Sequence, residues 1–385
     1  MPASTALPST AKNRTIAIIG GGPAGAATAL SLLQSGKHDV RLFNARQRSE
    51  IKIGESIPPA ASPVLERLGA SHFLSEKIHL ACSGSVSIWG ANTPGHNDFW
   101  LNPVGKGFHL DRNQFDLQLY RAAQSQGAQC FDGWRLHSVA QQASGFALQF
   151  KLEDGEEKSM DVDFVVDASG QSACFARRLG VVRNVLDEVI SLCAIFPLVN
   201  GLQMSNRSFA EAVENGWWYA ARLPGERVIV SLTSDANIIK EQRLINPEKW
   251  NQQLHKTQGL KEWLPPVLLQ QLPELQVKAA PSAILSRVTG INWLAVGDAA
   301  SSYDPLTAAG ITKALMHGEQ AGSAITRACR EKDDRAISDY QDMVFDQFNQ
   351  YVSLRHQLYL AESRYHKLPF WQRRCFLESK TDDDK

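Results

Sequence analysis

Three glycines near the start of the chain follow a run of apolar residues, in the pattern Gly20-x-Gly22-x-x-Gly25. The apolar run, residues 15–19, predicts a buried strand, and the Ala- and Leu-rich residues after Gly25 predict a helix. Glycines at such a junction let an anion reach the helix N-terminus, where backbone N–H groups point outward. We therefore expect Gly20, Gly22, Pro23, Ala24 and Gly25 to hold the pyrophosphate of a dinucleotide, the alternative being a glycine turn used only for packing.

A second motif lies near the other end of the chain. Apolar residues 293–296 end in Gly297-Asp298, and the Asp298 carboxylate could accept a hydrogen bond from a sugar or ribityl hydroxyl. A turn at Asp304-Pro305 and a helix beginning near Gly310-Ile311 follow, and the positive N-terminus of that helix would stabilise negative charge on a flavin pyrimidine ring. Together the two motifs indicate FAD, with Asp298, Pro305, Gly310 and Ile311 as expected contacts.

Two polar residues between the motifs are further candidates for cofactor binding. Asn44 follows the second predicted strand, where a carboxylate usually holds the adenosine ribose. An amide can still bond a hydroxyl, although we expect it to hold FAD less tightly. Arg112 lies in the first turn of a predicted helix, where a cation opposes the helix dipole unless an anion is close. A phosphate of FAD would supply that anion, and the alternative is a solvated surface arginine.

An extended stretch before two prolines could lie along the isoalloxazine ring. Its residues Gly54, Glu55 and Ser56 are therefore predicted to contact the cofactor, unless the stretch is an ordinary loop. Glu55 is also a candidate acid or base, together with His109. Both are weak candidates, because a loop histidine is more often a solvated or fully hydrogen-bonded residue.

Three consecutive aromatic residues, Trp217, Trp218 and Tyr219, could form the surface that stacks against an aromatic substrate. The alternative is that they pack in the core of a sheet. The choice depends on where the predicted strand around them lies.

The pattern of elements predicts an α/β fold with a second, sheet-rich part. Residues 15–44 form half of a Rossmann unit, residues 145–166 alternate around Asp154-Gly155 as a hairpin, and residues 181–278 contain several strand-like runs. Residues 310–376 are helical, with Ala314, Gly318 and Gly322 at a spacing that allows close helix contact. The expected units are a Rossmann-type FAD-binding domain (12–80, 105–180 and 280–330), an inserted antiparallel-sheet substrate domain (81–104 and 181–279), a helical C-terminal segment (331–378) and a disordered or tag-derived tail (379–385).

Composition excludes several classes of function. The 385 residues carry a formal net charge of zero, which argues against a nucleic-acid binder or a protein held on anionic lipid. The six cysteines form no C-x-x-C pair, no His/Cys cluster has metal-ligand spacing, and no run approaches the roughly 18 apolar residues of a membrane span. With no apolar leader in residues 1–14, we expect a cytoplasmic protein without a metal.

Four blocks of the chain resemble, in their order, the flavoprotein monooxygenases of the p-hydroxybenzoate hydroxylase class. They are the first glycine turn, Asp111-Arg112 before a helix, residues 167–177, and Gly297-Asp298 with the turn after it. Within that class, residues 53–56, 215–219 and 370–374 are similar to the branch that contains the tryptophan halogenases. The resemblance covers most of the chain and implies a p-hydroxybenzoate hydroxylase-like fold, FAD and monooxygenase chemistry.

The chain departs from the halogenases where their chemistry would take place. Halogenases of this branch use a lysine in a stretch that reads Ala81-Cys82-Ser83-Gly84 here, and a Glu-Ser-Thr triplet that reads Thr307-Ala308-Ala309 here. Halogenation is therefore disfavoured.

Residues 54–63 and 216–224 look like the LodB/GoxB-like flavoproteins of the same branch. That resemblance implies hydroxylation of a tryptophan side chain in the precursor of a quinoprotein amino-acid oxidase, a glycine oxidase in particular, during cysteine tryptophylquinone biosynthesis. Dioxygen would be the co-substrate, and an external reductant is expected because no second dinucleotide motif is visible. The alternatives are a small-molecule flavin hydroxylase or prenyl reductase of the same fold, and a non-catalytic maturation factor that keeps FAD as a structural element.

Overall fold

The fold is that of a computed structural model, which is described for residues 13–36, 38–45, 52–100, 102–198 and 202–375. The predicted tail, residues 379–385, lies outside the described residues. Within them the strands are, in chain order, β1 Thr15–Ile19, β2 Asp39–Asn44, β3 Ser56–Ile57, β4 Leu80–Cys82, β5 Gly84–Ile88, β6 Gly95–Asp98, β7 Gly107–His109, β8 Gln129–Asp132, β9 Arg135–Gln142, β10 Gly145–Lys151, β11 Glu157–Val162, β12 Phe164–Asp167, β13 Arg183–Val185, β14 Val189–Pro197, β15 Ser208–Val213, β16 Gly216–Leu223, β17 Arg227–Asp235, β18 Gln276–Ala279, β19 Ala283–Leu285, β20 Thr289–Gly290, β21 Trp293–Ala295 and β22 Ser301–Ser302.

The same residues form α-helices that range from one turn to seven turns. They are α1 Pro23–Gln34, α2 Ser62–Arg67, α3 Arg112–Ser125, α4 Cys174–Arg178, α5 Ala236–Glu241, α6 Pro247–Leu254, α7 Leu260–Trp263, α8 Pro266–Leu269, α9 Gly310–Thr326, α10 Ala336–Leu360 and α11 Pro369–Cys375. Short 3₁₀ turns at Gly297–Ala299 and Pro305–Thr307 precede α9.

The first layer of the fold is a six-stranded sheet in the order β20-β21-β12-β1-β2-β8. β1 pairs in parallel with β12 and β2, and only β20, at one edge, runs antiparallel to its neighbour. The central strands β1 and β12 are almost entirely apolar and buried, as expected for parallel strands covered on both faces. The Rossmann-type fold predicted from the sequence is thereby confirmed.

The predicted hairpin around Asp154-Gly155 forms part of a three-stranded antiparallel sheet, in the order β11-β10-β9. This sheet packs on the main sheet through Phe150 of β10, whose ring stacks on Phe43 of β2 with the centroids 4.3 Å apart.

A seven-stranded sheet, in the order β18-β14-β17-β16-β15-β5-β6, forms the second large layer. Its strands come from residues 84–98 and 189–279, and only the β15–β5 pairing is parallel. Helices α5 to α8 also lie in this part of the chain, which the sequence analysis described only as sheet-rich. The missed signal is Asn246-Pro247, because Asn246 caps α6 by accepting a hydrogen bond from the Lys249 N–H at 3.0 Å.

Helices α1 and α9 are packed closely enough that glycine is required between them. A Cβ on Gly318 would lie 2.5 Å from the Ala24 carbonyl oxygen, and one on Gly322 would lie 2.5 Å from the Ser31 Cβ. The Ala314, Gly318 and Gly322 stripe therefore brings α9 against α1, as its spacing predicted.

The C-terminal helices α10 and α11 return the chain to both large sheets. Tyr340 of α10 donates a hydrogen bond to the Ala295 carbonyl of β21 at 2.8 Å, and the Trp371 indole N–H of α11 donates to the Val213 carbonyl at 3.0 Å. Most of the aromatic residues of this segment are buried. No helix in the described ranges is long and apolar enough to cross a membrane.

A buried histidine on α9 makes the stability of the fold dependent on pH. His317 is fully buried and bonds Gln347 of α10 at 3.1 Å. Burial, with the nearby charge of Lys313, lowers the pKa of His317 from its ordinary 6.5 to about 3. The unfolded chain therefore takes up this proton first as the pH falls. The free energy of unfolding is therefore unaffected by this histidine above about pH 6.5. As the pH falls from there toward about 3, protonation of His317 in the unfolded chain lowers the free energy of unfolding progressively.

We predict that His317→Gln flattens the loss of stability on acidification, since glutamine can keep the contact with Gln347 but takes up no proton. The difference in slope should approach about 1.4 kcal/mol per pH unit below the unfolded pKa. Denaturant unfolding at a series of pH values, with His137→Gln on an exposed strand as control, measures it. An unchanged slope in His317→Gln would contradict the assignment.

Candidate functional site

The first glycine turn contains two kinds of glycine. Gly20 has φ +123°, and a Cβ there would lie 2.2 Å from the Ala168 carbonyl oxygen, while a Cβ on Gly25 would lie 1.9 Å from the Gly20 carbonyl oxygen. These two glycines are required by the protein itself. Gly22 differs, because a Cβ there would meet no protein atom within 4 Å.

The N-terminus of α1 is open at Gly22. No side chain caps the helix, its first turn contains no acidic residue, and Pro23 occupies a position where an N–H is not needed. The first N–H groups of a helix have no partner within the helix, and the space beside Gly22 is open to a ligand that could bind them. Such a terminus attracts an anion, so the turn fits the FAD pyrophosphate expected from the sequence.

The second motif lies directly against the first. Gly297 has φ +58°, and a Cβ there would lie 2.7 Å from the Cβ of Ala24 in the first turn of α1. Asp298 is partly exposed and accepts a hydrogen bond from the Lys313 ammonium at 2.7 Å. Lys313 is almost completely buried and also donates to the Ser301 carbonyl. Its ammonium therefore orients the carboxylate expected to bind the ribityl chain.

Helix α9 provides a second open N-terminus. The Asp304 carboxylate caps the short turn Pro305–Thr307 by accepting from the Leu306 N–H at 2.9 Å, and Ala308 follows in a left-handed conformation with φ +48°. The helix then begins at Gly310 with no side-chain cap, no acidic residue in its first turn and no protein atom within 4 Å of a Cβ on Gly310. Ile311 is buried beneath this turn.

Arg112 anchors the extended segment instead of standing free. Its guanidinium donates to the Gly54 carbonyl at 2.7 Å and to the Ile53 carbonyl at 3.1 Å, and it pairs with Asp116 at 3.1 Å, one turn along α3. Lys52 bonds the other oxygen of Asp116 at 3.1 Å. Arg112 therefore shares the Asp116 carboxylate with Lys52, and its contact with FAD stays a prediction.

Glu55 and Ser56 of the same segment form a hydrogen-bonded group with Tyr219 of β16. The Tyr219 hydroxyl donates to the Glu55 carboxylate at 2.7 Å and lies 2.8 Å from the Ser56 hydroxyl. Glu55 is buried, and burial together with its charge raises the pKa of Tyr219 well above the usual range. The tyrosine is therefore a neutral donor at physiological pH.

His109 lies opposite Ser56 in the pairing of β7 with β3. It is fully buried, and neither ring nitrogen makes a hydrogen bond within the described part of the chain. Burial lowers the pKa of His109, and the charge of Glu55 opposes this effect. The histidine is therefore neutral at physiological pH.

Glu55 also lines a pocket between the start of α3 and the seven-stranded sheet. Its apolar wall is formed by Leu110, Ile195, Leu223 and Ile229, and charged side chains of Lys52, Asp111, Arg112 and Arg227 surround the rest. The pocket therefore brings the Glu55 carboxylate between an apolar wall and several charged side chains.

The three aromatic residues of β16 do not share one surface, which corrects the expectation of a single stacking surface. Trp217 bonds the Tyr359 hydroxyl through its indole N–H at 3.2 Å, under the C-terminal helices. Trp218 faces the opposite side of the sheet, 1% exposed, against Trp250 of α6. Of the three, only Tyr219 reaches Glu55 and Ser56 at the pocket. Trp218 points to the opposite face of the sheet, since successive side chains of a strand alternate, and Trp217 is covered by the C-terminal helices.

Sequence reasoning missed Lys313. The only signal was a lysine on an otherwise apolar helix face, three residues after Gly310. Within the described residues no group of three His, Cys, Asp or Glu side chains could hold a metal ion.

Comparison with known proteins places these features in a family context. The family model "Tryptophan halogenase" matches residues 91–383. LodB of Marinomonas mediterranea, assigned as an FAD-dependent oxidoreductase, is 31% identical over 360 residues, which are 93% of this chain and 95% of LodB.

Two solved structures share the fold. The flavin-dependent halogenase CmlS superposes with a TM-score of 0.83 at 24% identity, over 96% of this chain and 68% of CmlS. QhpG, a peptidyl tryptophan dihydroxylase essential for tryptophylquinone cofactor biogenesis, superposes with a TM-score of 0.78 at 24% identity, over 96% of this chain and 80% of QhpG.

We predict that Gly22→Val yields a folded protein without bound FAD. A Cβ at Gly22 meets no protein atom within 4 Å, and the valine side chain would occupy the space beside the helix N-terminus, where the pyrophosphate is expected. Absorbance of the purified variant near the flavin bands measures occupancy, and its far-ultraviolet circular dichroism checks folding.

The matched control is Gly95→Val, on the exposed strand β6, where the nearest atoms to a Cβ are 3.7 Å away. That variant should be as yellow as the wild-type protein. Full FAD occupancy in Gly22→Val would contradict the assignment of the turn.

Proposed function

Because this chain belongs to the tryptophan halogenase family and is an FAD-dependent oxidoreductase, we propose that it hydroxylates a tryptophan side chain in a partner protein. The partner is the precursor of a quinoprotein amino-acid oxidase, a glycine oxidase in particular, and the reaction belongs to cysteine tryptophylquinone biosynthesis. The similarity to LodB over nearly its whole length and the fold shared with QhpG support this proposal.

The observation that carries the proposal is the hydrogen bond between Tyr219 and Glu55, because Glu55 lines a pocket that has apolar side chains on one wall. Bound FAD, once reduced by an external donor, would supply the activation of dioxygen. An electron-rich indole needs neither a metal nor a nucleophilic side chain to receive an electrophilic oxygen atom.

The chain's own residues would position the ring and remove a proton. Oxygenation at an indole carbon must be followed by loss of the hydrogen on that carbon as a proton, and the Glu55 carboxylate would accept it. Tyr219 would hold Glu55 in position and stabilise its charge through their hydrogen bond. The apolar side chains on one wall of the pocket would help to exclude water from the reacting ring.

The stretches that depart from the halogenases support hydroxylation over halogenation. Residues 80–82 form β4, and the Cys82 thiol is buried and bonds the Gly84 carbonyl at 3.2 Å. Thr307, Ala308 and Ala309 form the turn before α9 and bring no carboxylate to the site. Neither stretch offers an acid or an ammonium group.

We predict that Glu55→Gln and Tyr219→Phe keep FAD but lose most of the hydroxylation of a co-expressed precursor. Removing a general base or the residue that orients it typically costs about 10²- to 10⁴-fold in rate. Intact-protein mass spectrometry of the precursor measures the gain of oxygen, and flavin absorbance measures occupancy. Tyr365→Phe, which removes a hydroxyl beside the buried C-terminal cluster, is the matched control.

If Glu55→Gln and Tyr219→Phe both modify the precursor normally, the acid-base role of Glu55 is contradicted. Modification of free tryptophan or a phenol, with the precursor unchanged, would favour a small-molecule hydroxylase. Normal modification by an FAD-free protein would indicate a non-catalytic maturation factor.

We also predict that no halogenated product forms with reduced FAD, dioxygen and chloride or bromide. The physical reason is that the stretch Ala81-Cys82-Ser83-Gly84 contains no lysine where the halogenases use one. Mass spectrometry of reactions with free tryptophan and with the precursor tests this directly. Detection of a chlorinated or brominated indole would show that another residue handles the halogen.

A further inference from the structure

The end of β2 lacks the carboxylate that usually holds the adenosine ribose, but the neighbouring strand supplies one. β2 and β8 are parallel, and their register places Asn44 opposite Asp132. The carboxyl ends of parallel strands meet at the same edge of a sheet, so Asp132 lies one strand spacing, about 4.8 Å, from the usual position. Its side chain turns back toward Asn44.

Two donors fix the Asp132 carboxylate in that place. The Asn44 amide nitrogen donates to its Oδ1 at 3.0 Å, and the Tyr120 hydroxyl of α3 donates to the same oxygen at 3.0 Å. Burial raises the pKa of Tyr120 far above its usual range, so this hydroxyl stays a neutral donor. The second oxygen, Oδ2, makes no hydrogen bond within the described residues, and the residue is exposed.

The same residues border the first glycine turn. A Cβ on Gly21 would lie 3.0 Å from the Asn44 Cγ and 3.0 Å from a ring carbon of Tyr120. The turn itself is tied to β2, since the Gly20 N–H donates to the Phe43 carbonyl at 2.8 Å. The carboxylate is therefore held beside the loop that fits the pyrophosphate.

We infer that Asp132, oriented by Asn44 and Tyr120, accepts a hydrogen bond from the adenosine ribose of FAD and replaces the acidic residue missing from the end of β2. Asn44 uses its amide nitrogen on Asp132, which leaves its Oδ1 as an acceptor for the second hydroxyl. The pair thus offers one acceptor to each hydroxyl of the ribose. The weaker FAD binding expected from Asn44 alone is offset by the neighbouring strand.

The test is an exchange of the two side chains, measured as the affinity of the FAD-free protein for FAD. Asp132→Asn should weaken binding by about 10-fold or more, because a hydrogen bond to a charged group is replaced by one to a neutral amide. Asn44→Asp combined with Asp132→Asn keeps an amide–carboxylate pair and moves the charge to the end of β2. This double variant should bind FAD within about three-fold of the wild-type protein.

The matched control is Asp161→Asn, because Asp161 accepts a hydrogen bond from the Gln142 side-chain amide at 2.9 Å on a different, exposed strand pair. It should leave FAD affinity unchanged. Thermal unfolding of the FAD-free variants shows whether Asp132→Asn has altered the fold.

A second ligand identifies the contact. The wild-type protein should bind FAD whose adenosine ribose lacks its 2′-hydroxyl less tightly than it binds FAD. The difference in affinity between these two ligands should be smaller for Asp132→Asn. Wild-type affinity for FAD in Asp132→Asn would overturn the inference, as would a double variant that binds no better than Asp132→Asn. Equal discrimination between the two ligands by the wild-type protein and Asp132→Asn would also overturn it.

Discussion

The direct backbone contact between α1 and α9 is the constraint on which the cofactor site depends. Each helix begins with an open N-terminus, and the two termini can serve one ligand only if the helices lie against each other. Gly318 and Gly322 make this possible, because a Cβ at either position would overlap α1. Only backbone and the short side chains of Ala27 and Ser31 lie at these contacts, so few adjustable rotamers separate the two helices. Nearly three hundred residues separate the two halves of the site in sequence.

The Asp304 carboxylate provides the second constraint, because it holds the turn before α9. It is buried and accepts from the Leu306 N–H and, at 2.7 Å, from the Tyr359 hydroxyl, and the Arg355 guanidinium lies 3.4 Å away. A buried carboxylate is tolerated only when several donors satisfy it. The Tyr359 oxygen also accepts from the Trp217 indole. Helix α10, which contains Arg355 and Tyr359, therefore links the seven-stranded sheet to the start of α9. Trp217 is better explained as part of this link than as a substrate contact.

The sequence predicted the elements whose pattern is local and missed the groups that meet only in three dimensions. The strand, glycine turn and helix at residues 15–34 have strong local signals, and so does the stripe on α9. Asp132 and Tyr120 carry no local signal, since their role follows from the register of β8 against β2. The alternation of β16 could have shown that Trp218 opposes Tyr219, but which face is covered depends on α6 and the C-terminal helices.

The charges around the site are paired in a way that leaves few groups able to exchange a proton. Lys313 donates to Asp298 and to a backbone carbonyl, and Lys52 is bound to Asp116, so neither ammonium is free to act on a substrate. Burial lowers the pKa of His109 and raises that of Tyr219, so both are neutral near pH 7. Glu55 is then the carboxylate at the pocket whose bound partner is a neutral hydroxyl instead of a cation. A site of this kind suits a reaction in which an electron-rich ring first gains oxygen and then loses a proton. It does not suit one that requires a free ammonium group to deliver a halogen.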